Sequence, residues 1–152
     1  MGTLVDALHR SCVPQSQVRN FDLEAHMQHD LQIDVCRKPG KLLQVHVRGE
    51  GTFANTLQYW RAIAGAVELQ PAHALLLLDE LTGPALTAED WIRLVGEVAP
   101  RLGHLRIAHV KPHGLDTIEY CVLSAIGAGL EARVFEDARM ASLWLRYGSI
   151  DA

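Results

Sequence analysis

The sequence predicts one α/β domain: a mostly parallel sheet of five strands, with an antiparallel hairpin at one edge and about four helices. Three observations carry this. Leu31, Ile33 and Val35 alternate with polar neighbours, Lys38-Pro39-Gly40-Lys41 makes a turn, and Leu43, Val45 and Val47 alternate again, which is a hairpin pattern. The run AHALLLLDEL is apolar without alternation, as in a strand covered on both faces. Beyond it, strand-like runs alternate with segments apolar at helical spacing, and that order implies parallel strands joined by right-handed crossovers.

Each element has its own local reason. The hairpin, with one wet face, belongs toward a sheet edge. Gly49-Glu50-Gly51 ends its second strand, and Thr52 caps a helix whose stripe is Phe53, Leu57, Trp60, Ala64 and Val67. After the LLLLDEL strand, Thr87-Ala88-Glu89-Asp90 opens a helix with the stripe Trp91, Leu94, Val95 and Val98 before Pro100. Leu105 to Val110 is the next strand. Asp116 and Glu119 form a capping box ahead of a helix with Leu115, Ile118, Val122 and Ile126 as its stripe, stopped by Gly127 and Gly129. Ala132 to Phe135 is the last strand. Asp137 caps the last helix, with Ala138, Ala141, Trp144 and Leu145 facing inward. Residues 1–30 differ in texture and read as an N-terminal arm, with short helical stretches around Leu4 to Arg10 and Asp22 to His29; the domain proper is 31–152.

Bulk properties narrow the function. The formal net charge of −4 argues against a protein devoted to neutralising phosphates, so no nucleic-acid partner is expected. Cys12, Cys36 and Cys121 are widely spaced and odd in number, which suggests no disulfide framework and points to a reducing, cytoplasmic setting. The opening MGTLVDALHRSCVPQ has no basic n-region or proper apolar h-region, so no signal peptide is expected. The apolar run Ala74 to Leu78 is too short to cross a bilayer.

Several phrases together resemble the STAS / SpoIIAA-like superfamily of bacterial proteins. They are VHVRGEGTFANTLQYW, the LLLLDEL strand ending in Asp79, RIAHV, and the closing GLEARVFEDARMASLWL, which is nearest to the SpoIIAA-like branch. The resemblance implies an α/β sandwich and a non-catalytic binding or regulatory module. Such a module would act through a protein partner or a small apolar, lipid-like ligand, with peripheral membrane contact as a further implication. One feature departs from the antagonist branch. Where its phosphorylated serine would stand, this chain has LTGPALTAED, whose hydroxyls are Thr82 and Thr87, so the phosphoserine switch does not carry over.

In a mostly parallel sheet, ligands favour the crevice beyond the carboxyl ends of the strands. That rim would carry Asp79, Glu80, Thr82, Thr87, Lys111, His113, Asp116, Glu136 and Asp137, and the helix from Ala88 to Val98 would border it. The ligand-binding residues expected are Asp79, Thr82, Thr87, Trp91, Val95, Lys111 and His113. A rival reading is a small enzyme with acid–base chemistry from His113, Asp116 and Lys111; against it, helix capping already accounts for Thr87, Asp116 and Asp137. A third is a structural homo-oligomer, a homodimer being the simplest, with the arm exchanged between subunits. His26, His29 and Asp30 have helix-compatible spacing for a metal, but exposed histidines in an arm are the commoner case, and no metal or cofactor is expected. His46, His73, His104 and His109 read as buried or half-buried structural histidines, and Cys121 as core.

Overall fold

The computed structural model describes residues 12–14, 31–112 and 119–148. Six strands form one sheet in sequence order: β1 (Cys12–Pro14), β2 (Leu31–Lys38), β3 (Leu42–Glu50), β4 (Ala74–Thr82), β5 (Arg106–Val110) and β6 (Glu131–Phe135). β1–β2 and β2–β3 are antiparallel, and every later pair is parallel. The five expected strands and the four expected helices are all present. The helices are α1 (Phe53–Leu69), α2 (Ala88–Leu102), α3 (Glu119–Gly127) and α4 (Ala138–Tyr147).

The hairpin turns where the sequence placed it, with Gly40 at φ 81° and Lys41 at φ 58°. It is not the edge, however, because β1 pairs outside β2. This register also overturns the cysteine reading. Cys36 is disulfide-bonded, and the residue directly opposite it on β1 is Cys12. A ladder can oppose residues far apart in sequence, so spacing gave no warning. With a disulfide present, cysteine usage no longer supports a reducing compartment. The expected helices at 4–10 and 22–29, and His26, His29 and Asp30, lie outside the described residues.

Helices α1, α2 and α3 share one face of the sheet, over a core that includes Val45, Val47, Leu75, Leu77 and Ile107. Helix α4 covers the opposite face with a smaller cluster of Leu76, Ala108, Val110, Ala141 and Trp144. Thr52, Thr87 and Asp137 cap their helices as expected, accepting from Asn55 N, from Asp90 N, and from Arg139 N and Met140 N.

Some stripes are shifted. In α1 Trp60, Ala64 and Val67 are buried as expected, but the buried face extends to Thr56, Tyr59 and Ile63, while Phe53 and Leu57 are only partly buried. Helix α2 continues through Pro100 to Leu102, burying Trp91, Leu94, Val95 and Val98 and leaving Ile92 63% exposed. In α3 the inward residues are Cys121 and Ala125, while Ile126 is exposed. In α4 Ala141 and Trp144 face inward and Ala138 does not. Mixed aliphatic helices leave the choice of face to whatever surface they meet. Among the described residues, no helix is long and apolar enough to cross a membrane.

Candidate functional site

Strands β4 and β5 bring together a buried polar cluster at their carboxyl ends. Along β4, Leu75, Leu77, Asp79 and Leu81 point toward the α1–α3 layer, and the parallel register sets Leu77 beside His109. The same alternation on β5 runs through Ile107 and His109 and continues to Lys111. Period two thus carries three titratable groups into one small volume.

The cluster is closely bonded. His109 Nε2 lies 2.8 Å from Asp79 Oδ2. Lys111 Nζ donates to Leu81 O at 2.6 Å and to Asp79 Oδ1 at 3.2 Å, and the Leu81 N–H donates to Asp79 Oδ1 at 2.9 Å. Cys121 Sγ, in the first turn of α3, is 3.7 Å from His109 Nδ1. All four side chains are buried.

Burial alone would raise the Asp79 carboxyl. The His109 hydrogen bond and charge, the Lys111 charge and the Leu81 N–H outweigh it and hold Asp79 below the usual carboxylate range. An ionised carboxylate can only accept, so His109 donates from Nε2, and in the neutral ring that leaves Nδ1 as the acceptor facing Cys121. Burial pushes the Cys121 thiol well up, and the Asp79 charge adds to this.

Two pockets flank the cluster. The first sits beyond the strand ends and is lined by Asp79, Lys111, Tyr59, Trp91, Thr82 and the 83–86 loop, among others. Its lip is built on glycines. A Cβ on Gly51 would stand 3.1 Å from Thr82 O, and Gly83 has φ 112°. The Gly51 N–H bonds Thr82 O at 2.6 Å, so the Gly49-Glu50-Gly51 turn ties two strand ends together and leaves that N–H unavailable to an anion. The Tyr59 hydroxyl and the Trp91 indole N–H are both buried without a hydrogen-bond partner. Burial raises the Tyr59 phenol well above its ordinary value, and the charges of Asp79 and Cys121 add to this against a smaller opposing pull from the Trp60 N–H, so it remains a donor. Lys111 has three N–H donors, two of them engaged by Asp79 and Leu81.

The second pocket is apolar. Val95, Val98, Ile107, Leu130 and Ala132 line it, along with Trp60, His109 and Cys121. Each pocket is small, with free space of about 30 Å³ in the first and about 20 Å³ in the second.

Of the seven expected ligand-binding residues, Asp79, Thr82, Trp91 and Lys111 meet in the first pocket, and Val95 lines the second. Thr87 is the exposed cap of α2 and lines neither. His113 and Asp116 lie outside the described residues, so of the expected acid–base trio only Lys111 is placed, and it is engaged by Asp79. His109 is buried and His46 half-buried, but His73 and His104 are exposed. His109 and Cys121 are buried, as the sequence suggested, but their place in the cluster, and that of Tyr59 in the pocket beside it, were not expected. The shared parity of Asp79 on β4 and of His109 and Lys111 on β5 was the available signal. Among the described residues, no group of three or more His, Cys, Asp or Glu side chains is placed to hold a metal ion.

Compared with known proteins, the chain matches no family model, no curated protein and no solved structure.

Proposed function

We propose that this protein is a small-ligand binding module of the STAS / SpoIIAA-like kind, which receives the polar end of its ligand in the strand-end pocket between α1, α2 and the 83–86 loop. The observation that carries this reading is that Tyr59 and Trp91, whose Oη and Nε1 are buried without a partner, both line the pocket that Lys111 also lines. Buried polar groups are nearly always paired, and leaving one unpaired costs about 1–3 kcal/mol. A ligand oxygen accepting from these donors would remove that cost. Free space of about 30 Å³ admits a terminal group and not a whole ligand, so the apolar remainder would lie along the exposed rim at Thr82, Gly83 and Pro84. The pocket's place at the carboxyl ends of parallel strands fits the general preference for such sites. Regulation of a protein partner would follow from ligand-dependent placement of α2, whose Ile92 is exposed.

Native mass spectrometry of the purified protein, with a denaturing run on the same sample, tests this. The expected result is a bound mass that is lost on denaturation and depleted in Tyr59→Phe. A clean apo mass, with ordered water satisfying both donors in a crystal structure, would overturn it and leave a protein partner as the better reading.

A further inference from the structure

Beyond ligand binding, the cluster contains a nucleophile, a base and an orienting acid in series. Cys121 Sγ faces His109 Nδ1 at 3.7 Å, and His109 Nε2 faces Asp79 Oδ2 at 2.8 Å. The two contacts use opposite nitrogens of one ring, so in the neutral imidazole the carboxylate fixes the tautomer that presents a lone pair to the thiol. This is the arrangement by which a general base activates a side-chain nucleophile. An apolar core would not need it, since hydrophobic side chains of similar volume usually replace a buried ionic group without loss of stability.

The surroundings suit a particular electrophile. The pocket beside Cys121 and His109 is otherwise apolar and holds about 20 Å³ of free space, room for a group of water or methyl size. Because burial and the Asp79 charge keep the thiol protonated, no standing thiolate is on offer, and attack requires His109 to take the proton during the step.

We propose that Cys121 is a catalytic nucleophile that accepts a short acyl group from a thioester or activated ester, with His109 as general base and Asp79 as the positioning residue. The Sγ–C bond forms at the acyl carbon and the bond from that carbon to the leaving sulfur or oxygen breaks. The thiol proton passes to Nδ1 and then to the leaving group, and no oxidant or reductant is involved. Hydrolysis of the resulting thioester, or transfer to a second acceptor, returns the free thiol.

The test uses the full chain and p-nitrophenyl acetate, with release of p-nitrophenolate followed in time and the acetylated residue located by peptide mass mapping. The expected result is one acetyl group on Cys121 with matching p-nitrophenolate, no such adduct in Cys121→Ala, and acetylation slowed on the order of 100-fold in His109→Gln. A folded wild-type protein whose Cys121 stays unmodified would overturn the proposal, as would His109→Gln reacting at the wild-type rate. Should His109→Gln fail to fold, the wild-type pH profile decides. A rate that levels off well below the ionisation of the thiol supports a general base, and a rate that climbs with hydroxide up to that ionisation overturns it. The outcome is separate from the binding reading, because a clean apo mass leaves Cys121 acetylation untouched and a missing acetyl group leaves ligand binding untouched.

Discussion

Two sets of charged side chains sit within or upon the same helix layer. Outside, Arg61 Nε and Nη2 grip Glu97 at 2.5 and 3.0 Å, and Arg101 grips Glu68 at 2.9 and 2.8 Å, so that two forked pairs tie α1 to α2. Inside, Asp79, His109 and Lys111 meet between the sheet and those helices with contacts of 2.8 and 3.2 Å. The outer pairs have the better geometry, being bidentate, yet water and salt screen them and can replace either partner. The inner groups have no such substitute. Position in the dielectric, more than hydrogen-bond length, decides which set the fold depends on.

The largest expected effect breaks the inner set. Asp79→Ala should destabilise the protein by about 3–5 kcal/mol in urea unfolding, because it leaves Lys111 buried without its counter-charge. The double variant Asp79→Leu with Lys111→Met should recover part of that loss; equal instability in both would mean that shape, not charge, is what Asp79 supplies.

A smaller effect is expected from pH. The Asp79 carboxyl is held below its ordinary value of 3.8 in the folded protein. Its contribution is therefore fully present above that value and is lost as pH falls from there toward the lower folded value. The urea midpoint should fall below about pH 4 more steeply in the wild type than in Asp79→Asn. Parallel profiles would show that other carboxylates dominate acid unfolding.

The smallest effect belongs to the outer set. Arg61→Ala and Glu68→Ala should leave the urea midpoint unchanged, with or without added salt. A loss comparable to that of Asp79→Ala would sink the contrast between the two regions.

The order of elements along the chain and the helix caps were legible because they are local. Thr52, Thr87 and Asp137 each supply an oxygen to an N–H two or three residues on, and the alternation in 31–35 and 43–47 records one wet face. The candidate site was half legible. Asp79, Thr82 and Lys111 could be placed at strand ends, and Trp91 on the helix that borders them, from the order of elements alone. Tyr59 was hidden because α1 is apolar around much of its circumference, and Cys121 because a thiol on a helix stripe packs like any small apolar group.

By itself, then, the sequence determined the alternation of strands and helices, the hairpin, the helix caps and the end of the sheet where polar groups gather, all through interactions spanning a few residues. Tertiary structure decided the rest. It set which face of each helix turned inward, placed Cys36 opposite Cys12, and brought His109 to Asp79, Lys111 to Asp79 and Cys121 to His109 within bonding distance, across separations of 30, 32 and 12 residues. Those contacts depend on strand register and on which helix surface met the sheet, and both are fixed by packing of the whole chain at once.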